Sequence, residues 1–230
     1  MNIFWFRRDL RIEDNVGLFH AFNSNEEVLP IFIFDKIILS ELPKDDARVS
    51  FIHDQLEKIQ SELNKIGKSL AVFHGNPIEV FTKLISENKI TAVYTNHDYE
   101  PYARKRDKEM NQLFVSKGIS FLTSKDQVIF EKSEVVKDDG TPYVVYTPYS
   151  KKWKENFRKI KLVHYPSEDK LDKITKHSYP FLSLDDIGFE KSSIKVSAFD
   201  VSENLIQNYE ATRNFPALNK TSYLGIYLRF

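Results

Sequence analysis

The chain has 230 residues, 41% of them hydrophobic and 29% charged, which is enough for one sizeable core with or without an appendage. Its 33 basic and 33 acidic side chains cancel, so no overall electrostatic field favours nucleic acid or an anionic membrane. The absence of cysteine excludes disulfides, thiolate chemistry and cysteine-ligated metals. No apolar run is long enough for a signal peptide or a membrane span, and we therefore expect a cytoplasmic protein with no membrane partner.

Short apolar segments alternate with amphipathic segments along the first half of the chain. The apolar segments predict strands at residues 2–6, 28–34, 70–73, 90–94 and 119–122. This alternation predicts an α/β fold, a five-stranded parallel Rossmann-like sheet with helices on both faces and right-handed crossovers. The glycines are too scattered for a G-x-G-x-x-G loop or a P-loop, so the usual phosphate cradle is missing from this part of the chain.

Residues 94–107 contain the most informative stretch of this α/β part. A strand ends there, Asp98 and Glu100 follow in a turn, and Pro101 is suited to the first turn of the next helix. Ligands of open α/β sheets bind beyond the carboxyl ends of the strands, and this turn lies at such an end. On spacing alone, a solvated loop with internal ion pairs is an equally good interpretation.

The pattern changes after residue 125. Residues 128–130 and 143–146 predict an extended, hairpin-like excursion. Residues 162–197 are polar and little periodic, which predicts an interdomain linker that crosses the surface of another domain, and residues 198–208 predict a helix. Since the chain stops within an apolar helical pattern, we expect a truncation, either an isolated domain, a fragment or a split gene.

Four segments, in the expected order and spacing, resemble the DNA photolyase/cryptochrome family, and most closely its microbial class I cyclobutane-pyrimidine-dimer photolyases. They are residues 4–15, 98–107, 143–153 and 209–222. The resemblance covers essentially the whole chain. It implies an α/β antenna domain at residues 1–130, an extension and interdomain linker at 131–197, and the truncated start of a helical FAD-binding domain at 198–230.

The same resemblance implies the activity of a deoxyribodipyrimidine photo-lyase. In this family a reduced FAD absorbs blue light and donates an electron to a pyrimidine dimer that is flipped out of the DNA. The catalytic residues would lie beyond Phe230, so we expect the 230 residues alone to be inactive. The implied partners are damaged DNA, bound through the missing domain, and the protein's own C-terminal FAD-binding domain. The full-length protein is expected to be a monomer.

The resemblance also implies that some of the last thirty residues contact FAD and DNA. The FAD contacts are Tyr209, Thr221, Ser222, Tyr223, Leu224 and Gly225. Hydroxyls and N–H groups at a helix start suit a pyrophosphate, although an ordinary helix cap explains them too. Members of the family often have serine where Gly225 stands, which puts one contact in doubt. Arg213 matches an arginine that faces DNA, and a plain salt bridge is the alternative.

A second set of residues matches the antenna-chromophore pocket of some members. The set is Asp35, Arg48, Phe51, Asp98 and Glu100. There a carboxylate can orient a ring N–H or hydroxyl, an arginine can neutralise an anionic chromophore and a phenyl ring can stack. The folate-binding members carry asparagine and glutamate where this chain has Tyr102 and Ala103. A deazaflavin or a flavin is therefore favoured over methenyltetrahydrofolate, and an empty pocket is the alternative.

Two other functions remain open at this point. A cryptochrome, a photoreceptor that signals through a flavin, shares every segment named above. A free-standing nucleotide- or flavin-binding α/β module is the second alternative. The six histidines show no metal-ligand spacing, so we predict no metal site, and we expect Trp5 and Trp153 to lie in the core.

Overall fold

A computed structural model describes residues 1–228. The strands are Asn2–Phe6 (β1), Val28–Asp35 (β2), Ala71–Gly75 (β3), Ala92–Asn96 (β4) and Ser120–Ser124 (β5). The α-helices of the described residues are Val16–Phe22 (α1), Lys36–Leu39 (α2), Ala47–Asn64 (α3), Pro77–Glu87 (α4), Pro101–Ser116 (α5), Tyr146–Phe157 (α6), Glu203–Gln207 (α7), Tyr209–Thr212 (α8) and Leu224–Tyr227 (α9). Short 3₁₀ turns occur at Lys132–Glu134, Glu168–Lys173 and Asp185–Ile187. The last two residues of the predicted segment 198–230 lie outside the described part.

The five strands form one parallel sheet in the order β3-β2-β1-β4-β5. The predicted fold class is therefore confirmed. β1 lies at the centre, between β2 and β4, and the strand order reverses there. In a sheet of this kind the reversal opens a crevice at the carboxyl ends of the strands.

Alternation along the strands divides the core into two layers. Phe4 and Phe6 of β1 pack on one face of the sheet, in a cluster with residues of α1 and α3. Ile3 and Trp5 pack on the other face, in a cluster with residues of α4 and α5. All four side chains are at most 2% exposed, because helices cover both faces. This is why β1 is apolar at every position except Asn2.

A buried polar cluster joins the ends of β1 and β4 to the start of α1. Asn96 Nδ2 donates to Asp9 Oδ2 at 2.6 Å and to Asn15 Oδ1 at 2.8 Å. Asn96 Oδ1 accepts from the backbone N–H of Gly17 at 2.9 Å, and Asn15 caps α1 by accepting from Leu18 N. Every polar atom named here has a partner, so the cluster fixes both loops instead of weakening the core.

The excursion after β5 differs from the predicted hairpin. The turn at residues 138–140 forms, with Lys137 N–H bonded to Thr141 O at 2.9 Å, but the flanking residues are not strands. Val144 is 90% exposed and Tyr146 already begins α6. An isolated two-stranded hairpin is marginal in water, and among the described residues these segments do not pair with the sheet.

Residues 162–197, here called the strap, run back across the α/β layers. Ile174 forms an isolated parallel bridge with Val28, and Pro180 O accepts from Val72 N on the outer side of β3 at 3.0 Å. Ile187 joins the core cluster under α3. The strap therefore follows the predicted course over another part of the chain, while the division into domains stays a prediction.

The helix predicted at residues 198–208 is much shorter in the structure. Only Glu203–Gln207 is helical before α8 begins, and the N–H of Asp200 is bonded to Ser222 O at 2.9 Å instead of entering a helix. Ser202 occupies the N-cap position without a side-chain cap bond, and its N–H donates to Asp200 Oδ1 at 2.8 Å. Among the described residues, no helix is both long and apolar enough to cross a bilayer.

The close approach of α1 to Asn96 gives a stability test. A Cβ on Gly17 would lie 2.7 Å from Asn96 Oδ1 and 2.9 Å from a Phe4 ring carbon. We expect Gly17→Ala to lower the free energy of unfolding by about 1–3 kcal/mol, measured by urea denaturation, because both neighbours are buried and fixed. Gly225→Ala is the control, since nothing lies within 4 Å of its Cβ position. Equal stability of the two variants would contradict this packing.

Candidate functional site

A cavity of about 460 Å³ opens at the carboxyl ends of β1 and β2, next to the loop that follows β4. Its walls are mostly apolar and come from β1, β2, the loop after α2 and α3. The apolar lining includes Trp5, Phe32, Ile33, Leu42, Val49 and Ile52. Charged groups line the rest of it. A concave apolar site with a few polar groups at the switch of an α/β sheet is the usual place for a small ligand.

Ion pairs hold the polar side chains of the cavity. Arg8 Nη1 lies 3.3 Å from Asp98 Oδ1 and 3.5 Å from Glu100 Oε1, which joins the loop after β1 to the loop after β4. Arg48, near the start of α3, pairs with Asp46 at 2.7 Å, and this hydrogen bond raises the pKa of Arg48 and lowers that of Asp46. The Arg48 side chain is 61% exposed, so it can move to meet a ligand without breaking the core.

Both carboxylate oxygens of Asp35 accept hydrogen bonds from other groups of the protein. Its Oδ1 accepts from Ile37 N at 3.0 Å, as the cap of α2, and its Oδ2 accepts from the Tyr102 hydroxyl at 2.5 Å. Burial and the bond to Asp35 raise the pKa of Tyr102, so its phenol stays neutral well above pH 10. Tyr102 also lines the cavity. The sequence marked Tyr102 only as a departure from the folate-binding pattern, and its bond to Asp35 was not predicted.

Two buried arginines lie beside Trp5. Arg7 Nη1 binds both oxygens of Asp107, at 2.5 and 2.7 Å, and Arg106 binds Oδ1 of the same carboxylate at 3.1 Å through Nη2. The side chains of Arg7 and Arg106 are 6% and 10% exposed. Burial, followed by repulsion from Arg7, lowers the pKa of Arg106. Sequence reasoning assigned no role to this arginine pair, in which Arg7 directly follows β1 and Arg106 lies in the second turn of α5.

The structure brings together four of the five residues predicted for the antenna pocket. Asp35, Arg48, Asp98 and Glu100 all line the cavity. Phe51 does not line it: the ring is buried on another side of α3 and its centroid lies 5.4 Å from that of Tyr227. The 3.6-residue period of α3 explains this, because Arg48 and residues 49 and 52 share an arc of the helix that excludes position 51. Whether the four residues bind a chromophore stays a prediction.

The residues predicted to contact FAD and DNA lie elsewhere, on short helices and loops. Tyr209 begins α8 and is 49% exposed, and Arg213 is exposed where α8 ends. Thr221 is exposed and Ser222 half-buried ahead of α9, which is only four residues long. The remaining three predicted FAD contacts lie at the start of α9. Tyr223 precedes the helix with a left-handed backbone (φ 53°), Leu224 is its first residue and Gly225 its second. They do not line the cavity, and their contacts with FAD and DNA stay predictions.

One group of possible metal ligands occurs on α3, where ligand atoms of His53, Asp54 and Glu57 lie within 4.8 Å of one another. Only the spacing of the histidines was considered at the sequence level, and this group was therefore not identified there. His53 Nε2 is already bonded to Leu182 O at 3.0 Å, and Asp54 forms an ion pair with Lys191. We assign no metal to it, because exposed acidic groups often cluster without one and nothing else here indicates an ion.

The sheet order defines a doubly wound α/β fold, and the cavity lies at the carboxyl edge of its sheet, where such folds bind their ligands. The sequence profile of the DNA photolyase family matches residues 2–169, most of the chain. The chain therefore belongs to the DNA photolyase family.

Individual relatives agree with this placement. The chain is 30% identical over its whole length to an uncharacterised 31.6 kDa protein of Synechococcus, of which it covers 84%. It is 29% identical to a deoxyribodipyrimidine photo-lyase from another Synechococcus strain, with 99% of this chain and 50% of the relative covered. A solved archaeal photolyase from Sulfolobus tokodaii, containing two FAD molecules, superposes with a TM-score of 0.70 at 26% identity, over 100% of this chain and 52% of that one. The chain thus spans about half the length of these two photolyases.

The bond between Tyr102 and Asp35 gives a pH-dependent prediction. Tyr102→Phe should lower the free energy of unfolding by about 1 kcal/mol at pH 7, since Asp35 loses a donor. The pKa of Tyr102 is higher in the folded chain than in the unfolded one, so this contribution is complete below pH 10 and is lost as the pH rises further. Urea denaturation from pH 7 to 11 measures it, with Tyr146→Phe, at a 77% exposed tyrosine, as the control. If the free energies of unfolding of Tyr102→Phe and Tyr146→Phe differed by the same amount at every pH up to 11, the raised pKa assigned to Tyr102 would be contradicted.

Proposed function

We propose that the cavity beside Trp5 and Tyr102 binds a flat tricyclic chromophore, a flavin or a deazaflavin, that collects light for the rest of the protein. The observation that carries this proposal is the cavity itself, about 460 Å³ with apolar walls and ion-paired polar groups. This volume lies within the usual range for sites of small organic ligands, roughly 300–1,000 Å³. The proposal rests on shape, aromatic lining and charge, in a family whose members use light.

The residues of the cavity have separable roles in this proposal. Trp5 and Tyr102 offer aromatic faces, against which a planar ring can pack. Asp98 and Glu100 can accept from a ring N–H or hydroxyl, and the exposed Arg48 can approach an anionic edge or tail. Asp35 acts through Tyr102, because both of its oxygens already have protein partners. The apolar walls exclude water from the ring.

The small side chain of Ala103 also supports a flavin or deazaflavin over a folate. Ala103 lines the cavity, and it offers no carboxylate at the position where the folate-binding members carry glutamate. The photolyase of Sulfolobus tokodaii, whose structure is described as implying a novel light-harvesting cofactor, contains two FAD molecules. A flavin is thus the first ligand to test. When bound, the chromophore would supply light absorption and energy transfer, and the chain would supply orientation and a dry site.

For the whole protein we propose the activity of a deoxyribodipyrimidine photo-lyase, the light-driven repair of pyrimidine dimers in DNA with FAD. Similarity to such an enzyme over 99% of this chain supports it. The FAD contacts proposed for Tyr209 and residues 221–225, and the DNA contact proposed for Arg213, belong to that activity. Its partners would be damaged DNA and a helical FAD-binding domain. The alternative of a photoreceptor has its own support, because the chain is 22% identical to a cryptochrome-1 of Spalax judaei over 87% of its length.

Filling the cavity should abolish chromophore binding. Ile52 lines the cavity, and we expect Ile52→Trp to weaken the binding of riboflavin at least tenfold, because the new ring would occupy the ligand's place. Titration followed by riboflavin fluorescence measures the dissociation constant. Ile66→Trp is the matched control, at a 47% exposed isoleucine beyond the end of α3. Unchanged binding in Ile52→Trp, or no binding of riboflavin, FAD or a deazaflavin by the parent chain, would contradict the proposed site.

A second test separates light collection from repair. We expect the 230 residues, loaded with chromophore and illuminated, to leave pyrimidine dimers in ultraviolet-damaged DNA intact, because the electron donor of the family belongs to the helical domain. Chromatography of the digested DNA measures dimer cleavage. Cleavage above the level of an unilluminated sample would show that the described chain is itself the repair enzyme.

A further inference from the structure

Trp5 is the most oxidisable side chain of the cavity, and it has two cations beside its ring. The guanidinium carbon of Arg106 lies 4.9 Å from the centroid of the Trp5 ring, and that of Arg7 lies 5.4 Å from it. Trp5 is 2% exposed and lines the cavity. Arg7 and Arg106 line the cavity as well, so the indole has both the proposed ligand and two buried positive charges beside it.

The two positive charges share one counter-charge. Asp107 accepts from both guanidinium groups, with its shorter contacts to Arg7. Within the described residues, Arg7 Nε is buried without a hydrogen-bond partner. The three groups together leave one net positive charge next to the indole. Because water is excluded, that charge is screened weakly and acts strongly over a few ångströms.

We propose that Arg7 and Arg106 protect the excited state of the bound chromophore by making Trp5 a poor electron donor. This inference rests on the proposed flavin-type ligand of the cavity. A tryptophan next to an excited flavin normally quenches it, because one electron passes from the indole to the flavin and later returns. No bond breaks and no proton leaves in this cycle, but the light energy is lost as heat.

The cations oppose the forward step of that cycle. Loss of an electron leaves a positive charge on the indole, next to the net positive charge of the arginine pair, and the repulsion raises the oxidation potential of Trp5. In the ground state the same cations are attracted to the π face, which further favours the unoxidised ring. A light-collecting site needs an excited state that lasts long enough to pass its energy on, so this arrangement suits the proposed role.

The test is the fluorescence lifetime of riboflavin bound to the 230-residue chain, with binding established separately by titration. We expect Arg106→Gln to shorten the lifetime about threefold or more, whereas Arg106→Lys, which keeps the charge, retains it. The double variant Trp5→Phe with Arg106→Gln should recover the long lifetime. An unchanged lifetime in Arg106→Gln, or a short lifetime that persists without Trp5, would overturn the inference. Quenching by Tyr102, whose hydroxyl bonds to Asp35, is one way to obtain the latter result.

A second measurement needs no bound flavin and so separates this inference from the proposed function. In a Trp153→Phe background Trp5 is the only tryptophan of the chain. We expect azide radicals to produce more tryptophan radical in Arg106→Gln than in the parent, as followed by pulse radiolysis, and Arg106→Lys to match the parent. Equal yields in all three proteins would overturn the inference even if riboflavin binds. If riboflavin failed to bind, the proposed function would be contradicted, but the radical yields would still test whether Arg106 makes Trp5 harder to oxidise.

Discussion

The need to satisfy buried polar groups at the carboxyl edge of the sheet determines most of the structure around the cavity. Strands β1 and β4 end side by side, and the residues that follow them are charged or amide-bearing. The side chains of Asp9, Asn15 and Asn96 form hydrogen bonds with one another, and these bonds fix the start of α1. On the opposite side of the sheet Asp107 holds Arg7 and Arg106. Because the polar atoms of the cluster of Asp9, Asn15 and Asn96 are paired, the loops after β1 and β4 favour one arrangement and give this edge of the cavity a defined shape. Arg7, by contrast, keeps a buried Nε without a hydrogen-bond partner among the described residues.

The same rigidity makes this edge suitable for collecting light. A chromophore that passes on excitation must be held in one orientation, kept from water and kept from easily oxidised neighbours. In the proposed function the apolar walls and aromatic side chains would serve the first two needs, and the arginine pair beside Trp5 would serve the third. Each of these properties follows from side chains that also stabilise the fold, so the site requires no separate scaffold.

Most of the α/β fold could be predicted from sequence because its signals are local. Apolar runs of about five residues marked the strands, and Pro101 marked where α5 begins. The grouping of Asp35, Asp98 and Glu100 was implied by the family resemblance, and all three line the cavity. What the sequence missed were relationships in space: the bond from Tyr102 to Asp35, and Asp107 shared by two arginines. The resemblance placed Phe51 at the pocket without its helical phase, and the structure puts its ring outside the cavity. The predicted hairpin does not form, and Phe130 packs on Trp153 of α6 instead.

The carbonyl of Pro180 has a consequence beyond the course of the strap. β3 is the outermost strand on its side of the sheet, and its N–H groups would otherwise face outward, ready to pair with any extended peptide. The strap meets Val72 N with that carbonyl, and its Tyr179 ring packs beside Phe73 of the same strand. The strap, whose composition predicts only a linker, thus also occupies part of an edge strand that could otherwise pair with strands of other chains.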